Sequence, residues 1–244
     1  MGEERITYGD DPSQYVEISR PDGTSKGVVV VIHGGFWKAQ YDASLGRPLA
    51  ASLSRAGWTA ANVEYRRVGN GGGVPQTLDD IAAAIDALAD IEGIDTTHVI
   101  TLGHSAGGHL AVWAAARGRF AAWRPAKVAV TAAVSPAGVL DLGAGRAAAQ
   151  VIGAVAAFVG AGPGDAQDRA DPRRQLPLDV PVRCVHGTAD DVVPISQSRD
   201  YVDAAVAAGA DATLTEVAGG DHFVVIDPAS EAWRATLALL DGLV

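Results

Sequence analysis

The sequence predicts an α/β fold: a single domain with a mostly parallel central sheet and helices on both faces. Three observations carry this prediction. Apolar, β-branched runs alternate along the chain with alanine-rich segments of helical character. Most of the strand candidates are continuously apolar rather than alternating, which marks strands covered on both faces, as in parallel sheets. The 244 residues, 48% hydrophobic and 20% charged, suffice for one large core, and no internal repeat or linker divides them.

The elements follow in order. "QYVEISRP" (14–21) alternates polar and apolar residues, as a half-exposed edge strand does. "GVVVVIHG" (27–34) is the first fully buried strand, ended by glycine. A helix is expected over 43–56, capped by Asp42. A second over 78–90 is capped by Thr77, with Leu78, Ile81, Ile85 and Leu88 on one face at helical spacing. Strands are expected at 59–66, 98–104, 127–135, 180–187 and 212–219, and helices at 106–117, 196–208 and 230–240. Residues 140–177 lie between two strands and are too long for a simple loop. They read as a small helical insertion ending in a polar loop. Trp58, Trp113 and Trp233 are expected in the core.

Composition narrows the function. A formal net charge of −10, with Arg66-Arg67 and Arg173-Arg174 as isolated basic pairs, argues against nucleic acid as a partner. The one cysteine, Cys184, allows no intrachain disulfide and sits in an apolar run, as a small core residue. "MGEERITYGDD" has no apolar stretch and is not a secretory signal, so cytoplasmic residence is the default expectation. The most apolar later segment, 151–161, is about half the length a membrane span needs, so no membrane partner is expected. The spacing of His33, His104, His109 and His186 makes no metal site, and no cofactor is expected. "VLDLGAGRAAA" (139–149), with Asp165 beyond it, matches a loosened dinucleotide fingerprint, but "SPAG" breaks the run where a preceding strand is required. "GNGGG" (69–73) lacks the Lys-Ser/Thr of a phosphate loop and reads as a loop at a possible rim of the site.

Chemistry concentrates at "GHSAG" (103–107), which satisfies G-x-S-x-G between a buried strand and an alanine-rich helix. In that setting a sharp turn exposes the Ser105 hydroxyl at the sheet edge and sets the helix's first N–H groups beside it. A serine hydroxyl needs a base. "HGTADDVVP" (186–194) and "GGDHF" (219–223) each end a strand, and they supply carboxylate and imidazole in the order Ser, Asp, His. The expected roles are Ser105 as nucleophile, His222 as base and Asp190 as the group that orients it. Asp191 and Asp221 compete for the last role; solvent exposure for Asp191 and a turn cap for Asp221 are the alternatives. "HGGFW" (33–37) follows the first buried strand, and the N–H of Gly35 or Phe36, with that of Ala106, is expected to hold an oxyanion. Phe36 and Trp37 are expected as apolar walls of the substrate pocket. His109, one helical turn beyond Ser105, is expected at the pocket floor.

Together "HGGFW", "GHSAG" and "HGTADDVVP…GGDHF" resemble the α/β-hydrolase superfamily, from about residue 14 to the C-terminus. "HGGFW" and "EYRR" (64–67) are similar to the kynurenine formamidase and small-esterase branch. The HG-x-x-D-x-x-V-P spacing, shared with prolyl-oligopeptidase-like hydrolases, selects Asp190 over Asp191. The resemblance implies an α/β-hydrolase fold and a serine hydrolase. Small carboxylic esters are its first expected substrates, aryl formamides of the N-formylkynurenine type the second and oligopeptides the third. The apolar insertion around 147–161 adds to an expectation of apolar or aromatic substrates. The short N-terminus implies that the first strands of the superfamily sheet are reduced.

Overall fold

The computed structural model describes residues 4–143, 149–160 and 165–244. Its strands are β1 (Glu4–Thr7), β2 (Tyr15–Ser19), β3 (Val28–Ile32), β4 (Thr59–Glu64), β5 (Val99–Gly103), β6 (Ala132–Pro136), β7 (Val182–Gly187) and β8 (Ala212–Val217). They form one sheet in the order β1-β2-β4-β3-β5-β6-β7-β8. The β1–β2 and β2–β4 pairs are antiparallel, and every pairing from β4 to β8 is parallel. The helices are α1 (Arg47–Arg55), α2 (Gln76–Ala87), α3 (Ala106–Ala116), α4 (Ala149–Val159), α5 (Asp165–Ala170), α6 (Ser196–Ala207) and α7 (Glu231–Asp241).

The run "VVVVI" of β3 shows why a continuous apolar strand belongs at the centre. Its side chains alternate between two cores. Val29 and Val31 pack with Leu49 and Leu53 of α1 and Trp233 and Leu240 of α7. Val28, Val30 and Ile32 pack with Leu78, Ile81 and Ile85 of α2 and Leu110 of α3. Trp58, Trp113 and Trp233 are fully buried, as is Cys184, whose thiol burial pushes up to about 12. After β3 the chain moves one way to β4 and then returns to place β5 on the other side of β3. The sheet's switch point thus falls between the C-terminal ends of β3 and β5, where open α/β sheets form their binding crevices.

Several local expectations change. The 14–21 segment is not an edge strand, because β1 pairs with its outer side. Its polar alternation has another origin: Glu17 is buried, and its carboxylate accepts from Arg5, Arg47 and Asn62, the pairing a buried charge requires. The expected reduction of the first strands therefore does not remove them; two antiparallel strands are present. The 127–135 strand shortens to Ala132–Pro136, because Asp86 takes the N–H groups of Lys127 and Val128 while Arg117 takes the Val128 carbonyl. Thr77 lies inside α2 rather than at its cap; its hydroxyl accepts from Gly73 N and donates to the Arg66 carbonyl. The helix expected over 43–56 divides into a 3-10 turn (Ala43–Leu45), which Asp42 caps by accepting from Ser44 N, and α1, which has no side-chain cap; Ser230 caps α7 by accepting from Trp233 N. The 140–177 insertion contributes α4, α5 and a 3-10 turn at Pro172–Gln175. The glycine-rich centre of "VLDLGAGRAAA" lies outside the described residues.

Candidate active site

Ser105 sits between β5 and α3 with φ 56° and ψ −118°, a left-handed conformation that a non-glycine residue adopts only where its surroundings enforce it. The flanking glycines make the turn possible. A Cβ at Gly103 would lie 2.1 Å from the Gly107 carbonyl oxygen, and one at Gly107 would lie 2.0 Å from that of Ile32. Strand, turn and helix are therefore pressed against β3 closer than any side chain permits. Because β3 and β5 are adjacent, this contact also sets the loop after β3 beside Ser105.

That loop turns through three consecutive positive φ values: Gly35 at 108°, Phe36 at 56° and Trp37 at 53°. Lys38 N closes it by donating to the Gly35 carbonyl. Only glycine fits at 35, since a Cβ there would lie 2.5 Å from the Tyr41 side chain. Among the described residues the N–H groups of Gly35, Phe36 and Ala106 take no acceptor. Ala106 opens the 11-residue α3, whose N-terminal partial positive charge lies at Ser105.

Asp190 and His222 meet at the ends of β7 and β8. The Asp190 carboxylate is fully buried and receives four donors. Oδ1 accepts from Val192 N and Val193 N at 2.9 and 2.8 Å. Oδ2 accepts from His222 Nδ1 at 2.7 Å and lies 3.2 Å from His186 Nε2. Burial alone would raise its pKa, but hydrogen bonds from His186 and His222 outweigh it and hold the carboxyl well below the usual range. Since a carboxylate only accepts, His222 carries its proton on Nδ1 and presents Nε2 as a lone pair. The competing carboxylates lie elsewhere. Asp191 is exposed, and Asp221 caps the turn after it by accepting from Phe223 N and Val224 N.

Ser105 and His222 line one cavity of about 310 Å³ with His104, Gly34, Gly35 and Phe36. The cavity continues down the α1 side of β3, against Val31, Leu49 and Ile226. At the mouth stand Leu45 and Phe223, 47% and 62% exposed. The described lining contains no Asp, Glu, Lys or Arg. His104 joins the two halves of the site: its Nε2 donates to the His222 carbonyl at 2.8 Å, and the two rings stand 4.4 Å apart. Burial, with His222 close by, depresses its pKa to about 3.

Trp37 and His109 do not line this cavity. Their side chains pack beneath it with Phe158 of α4; Trp37 stacks on Phe158 and donates to His109 Nδ1 at 3.3 Å. His109 Nε2 donates to the Ala170 carbonyl, and burial lowers its pKa to about 4, so it is a neutral tie between α3 and the insertion. Trp37 turns inward because its own positive φ reverses the chain direction after Phe36. The described part of the insertion likewise backs the core through Val151, Ala154 and Phe158 rather than facing the cavity. The 69–73 loop is not at the rim; it leads to Val74, whose N–H donates to the Phe158 carbonyl. His33 and His186 are buried residues at strand ends, with His33 depressed to about 3 by burial. Sequence reasoning missed Tyr41, Leu45, Leu49 and Ile226 as lining. Their apolarity reads as ordinary helix and loop packing, and nothing in the pattern separates a cavity wall from a core contact. Among the described residues no cluster of His, Cys, Asp and Glu could hold a metal, and no helix is long and apolar enough to cross a membrane.

The sheet order, the serine turn between β5 and α3 and the Asp–His pair after β7 and β8 define an α/β-hydrolase fold. Residues 16–204 match the BD-FAE family model, and the chain belongs to that family. Among curated proteins it is similar to the esterase LipC of Mycobacterium tuberculosis (strain ATCC 25618 / H37Rv), 33% identical over 116 residues. That alignment spans 45% of this chain and 28% of LipC. The fold is shared with a truncated carbohydrate esterase from gut microbiota, at a TM-score of 0.83 and 22% identity over 98% of this chain and 94% of that one. It is also shared with esterase B of Lactobacillus Rhamnosis (HN001), at a TM-score of 0.85 and 23% identity over 99% and 84%. Thermogutta terrifontis esterase 2, in a form phosphonylated by sarin, gives a TM-score of 0.83 and 22% identity over 99% and 93%.

Proposed function

We propose that the protein is a serine esterase that cleaves small, uncharged carboxylic esters through an acyl-enzyme intermediate. The observation that carries this reading is the shared cavity: Ser105 and His222 face one apolar space, and Asp190 holds His222 in the tautomer that can accept a proton. Ser105 Oγ attacks the ester carbonyl as His222 Nε2 takes its proton. The resulting oxyanion is held by the unpartnered N–H groups of Gly35, Phe36 and Ala106. Collapse releases the alcohol, which leaves with the proton returned by His222. Water, activated by the same imidazole, then hydrolyses the acyl-serine. The esterase LipC likeness supports the ester class. The uncharged lining supports substrates without a formal charge near the scissile bond, since an unpaired charge there would lose its hydration.

The cavity suits a modest apolar group. A dry cavity of about 150 Å³ accommodates a benzene ring, and this one has about twice that volume. An aryl formamide is the second reading, favoured by the HGG-aromatic-W sequence, although Trp37 itself lies away from the cavity. The test is a panel of p-nitrophenyl esters, N-formylkynurenine and aminoacyl-naphthylamides, run with wild type and Ser105→Ala, together with labelling by a fluorophosphonate. Ester turnover and labelling that both vanish in Ser105→Ala are expected. Labelling or turnover that survives the substitution overturns the reading.

A further inference from the structure

We propose that His186 is a positioning residue for this reaction: it donates a second hydrogen bond to the Asp190 oxygen that His222 uses, and by sharing that oxygen it tunes how strongly the carboxylate acts on His222. The inference rests on the esterase reading above.

The geometry fixes the direction of each bond. His186 Nε2 lies 2.9 Å from the Val193 carbonyl and 3.2 Å from Asp190 Oδ2. Both partners can only accept, so Nε2 carries the proton and shares it between them. Nδ1 is then a lone pair, and it accepts from the Ser198 hydroxyl at 2.8 Å. The ring is fully buried between β7, the 190–193 turn and α6. A chain of donors therefore runs from Ser198 through His186 to Asp190, and His222 meets the same carboxylate from the other side. With Oδ1 occupied by two backbone N–H groups, Oδ2 is the only oxygen left for both imidazoles.

The consequence follows from competition. Every donor on Oδ2 stabilises the carboxylate and withdraws part of its charge from the other. Removing His186 leaves Oδ2 to His222 alone, which favours the charged imidazolium and raises the pKa of His222. It also removes one of the four donors that hold the carboxylate plane. The other titratable groups packed round the pair are few. Glu216 lies opposite His186 in the β8 register and is paired with Arg199. The Cys184 thiol stays protonated, and His104 against the His222 ring stays neutral. Asp191 and Asp221 are exposed on the loops.

The test compares His186→Phe, which keeps a ring but no donor, with His186→Gln, whose amide N–H reaches the place of Nε2–H. Two readouts are taken on the full chain: the acid limb of kcat/KM for p-nitrophenyl acetate, and the His222 titration followed by NMR. For His186→Phe the expected result is a His222 pKa higher by about 0.5–1 unit, an acid limb displaced equally, and kcat about tenfold lower with KM within twofold. His186→Gln is expected to restore most of both. If His186→Phe does not fold, Ser198→Ala, which frees Nδ1 and lets the tautomer change, is expected to shift the titration in the same direction by less. Unmoved His222 titration in the folded variants overturns the proposal, even if activity falls. The NMR titration needs no turnover, so it still reads this contact if Ser105→Ala has shown the esterase reading to be wrong.

Discussion

Replacing Asp190 by asparagine alters one atom and almost no volume, yet the structure predicts near-complete loss of turnover. The orientation of the new amide is decided by Oδ1, which accepts from Val192 N and Val193 N. Turning the NH2 group toward those donors would strand two buried N–H groups at about 1–3 kcal/mol each. The amide oxygen therefore stays there, and the NH2 faces His222 Nδ1 and His186 Nε2. A donor opposite Nδ1 forces the His222 proton onto Nε2, the nitrogen that must be empty to take the Ser105 proton. The negative charge that supports the imidazolium is lost as well. Loss of both functions is worth about 10⁴ in kcat, or roughly 5.5 kcal/mol of barrier. The assay is steady-state hydrolysis of p-nitrophenyl butyrate, with thermal unfolding as a control for folding. KM should change little, because the carboxylate lies behind His222. Asp191→Asn, at an exposed position, should stay within about twofold of wild type. A folded Asp190→Asn enzyme within tenfold of wild type, or an equal loss in Asp191→Asn, would refute the assignment.

Four further predictions concern packing, pH and the cavity. Gly107→Ala places a methyl against the Ile32 and His33 carbonyls, backbone atoms that cannot swing aside, and should lower stability by about 2 kcal/mol or more in urea unfolding. Activity should fall as pH drops, along one limb of unit slope: Asp190 stays ionised, His33, His104 and His109 titrate only near 3–4, and protonated His222 cannot act as base. A flat kcat/KM profile from acid to neutral pH contradicts that role. Stability should decline over the same range, because these three depressed histidines bind protons more readily when unfolded, so their contribution is present at neutral pH and lost as pH falls toward 4. Asp171, raised to about 6 chiefly by burial, and Glu64, also raised by burial, act in the opposite sense. The three histidines outnumber the two carboxyls, so the net is a loss of stability as pH falls, measurable as urea midpoints at pH 7, 6 and 5. Leu49→Phe intrudes on the cavity beside Val31, and should lower kcat/KM for p-nitrophenyl octanoate about tenfold or more relative to the acetate; an unchanged chain-length ratio would move the acyl group elsewhere.

The sequence by itself determined the fold and the order of the candidate site residues. Continuous apolar runs such as "VVVVI" admit only strands covered on both faces, and the glycines of "GHSAG" mark a turn too tight for side chains. These signals are local, because they reside in backbone sterics and in the period of burial, so a linear reading captures them. Tertiary structure decided which residues meet. Glu17 looked like the solvent face of an edge strand until β1, Arg5, Arg47 and Asn62 enclosed it. Trp37 and His109 adjoin the site in sequence but turn into the core, because positive φ values from Gly35 to Trp37 reverse the loop and Phe158, some 120 residues on, takes the indole. His186 on β7 and His222 in the loop after β8, 36 residues apart in sequence, reach one Asp190 oxygen, and Leu49 becomes cavity wall only because α1 leaves a gap against β3. A hydrogen bond or a void depends on the relative placement of elements that no single segment encodes, so the candidate residues were legible along the chain and their surroundings were settled only by packing.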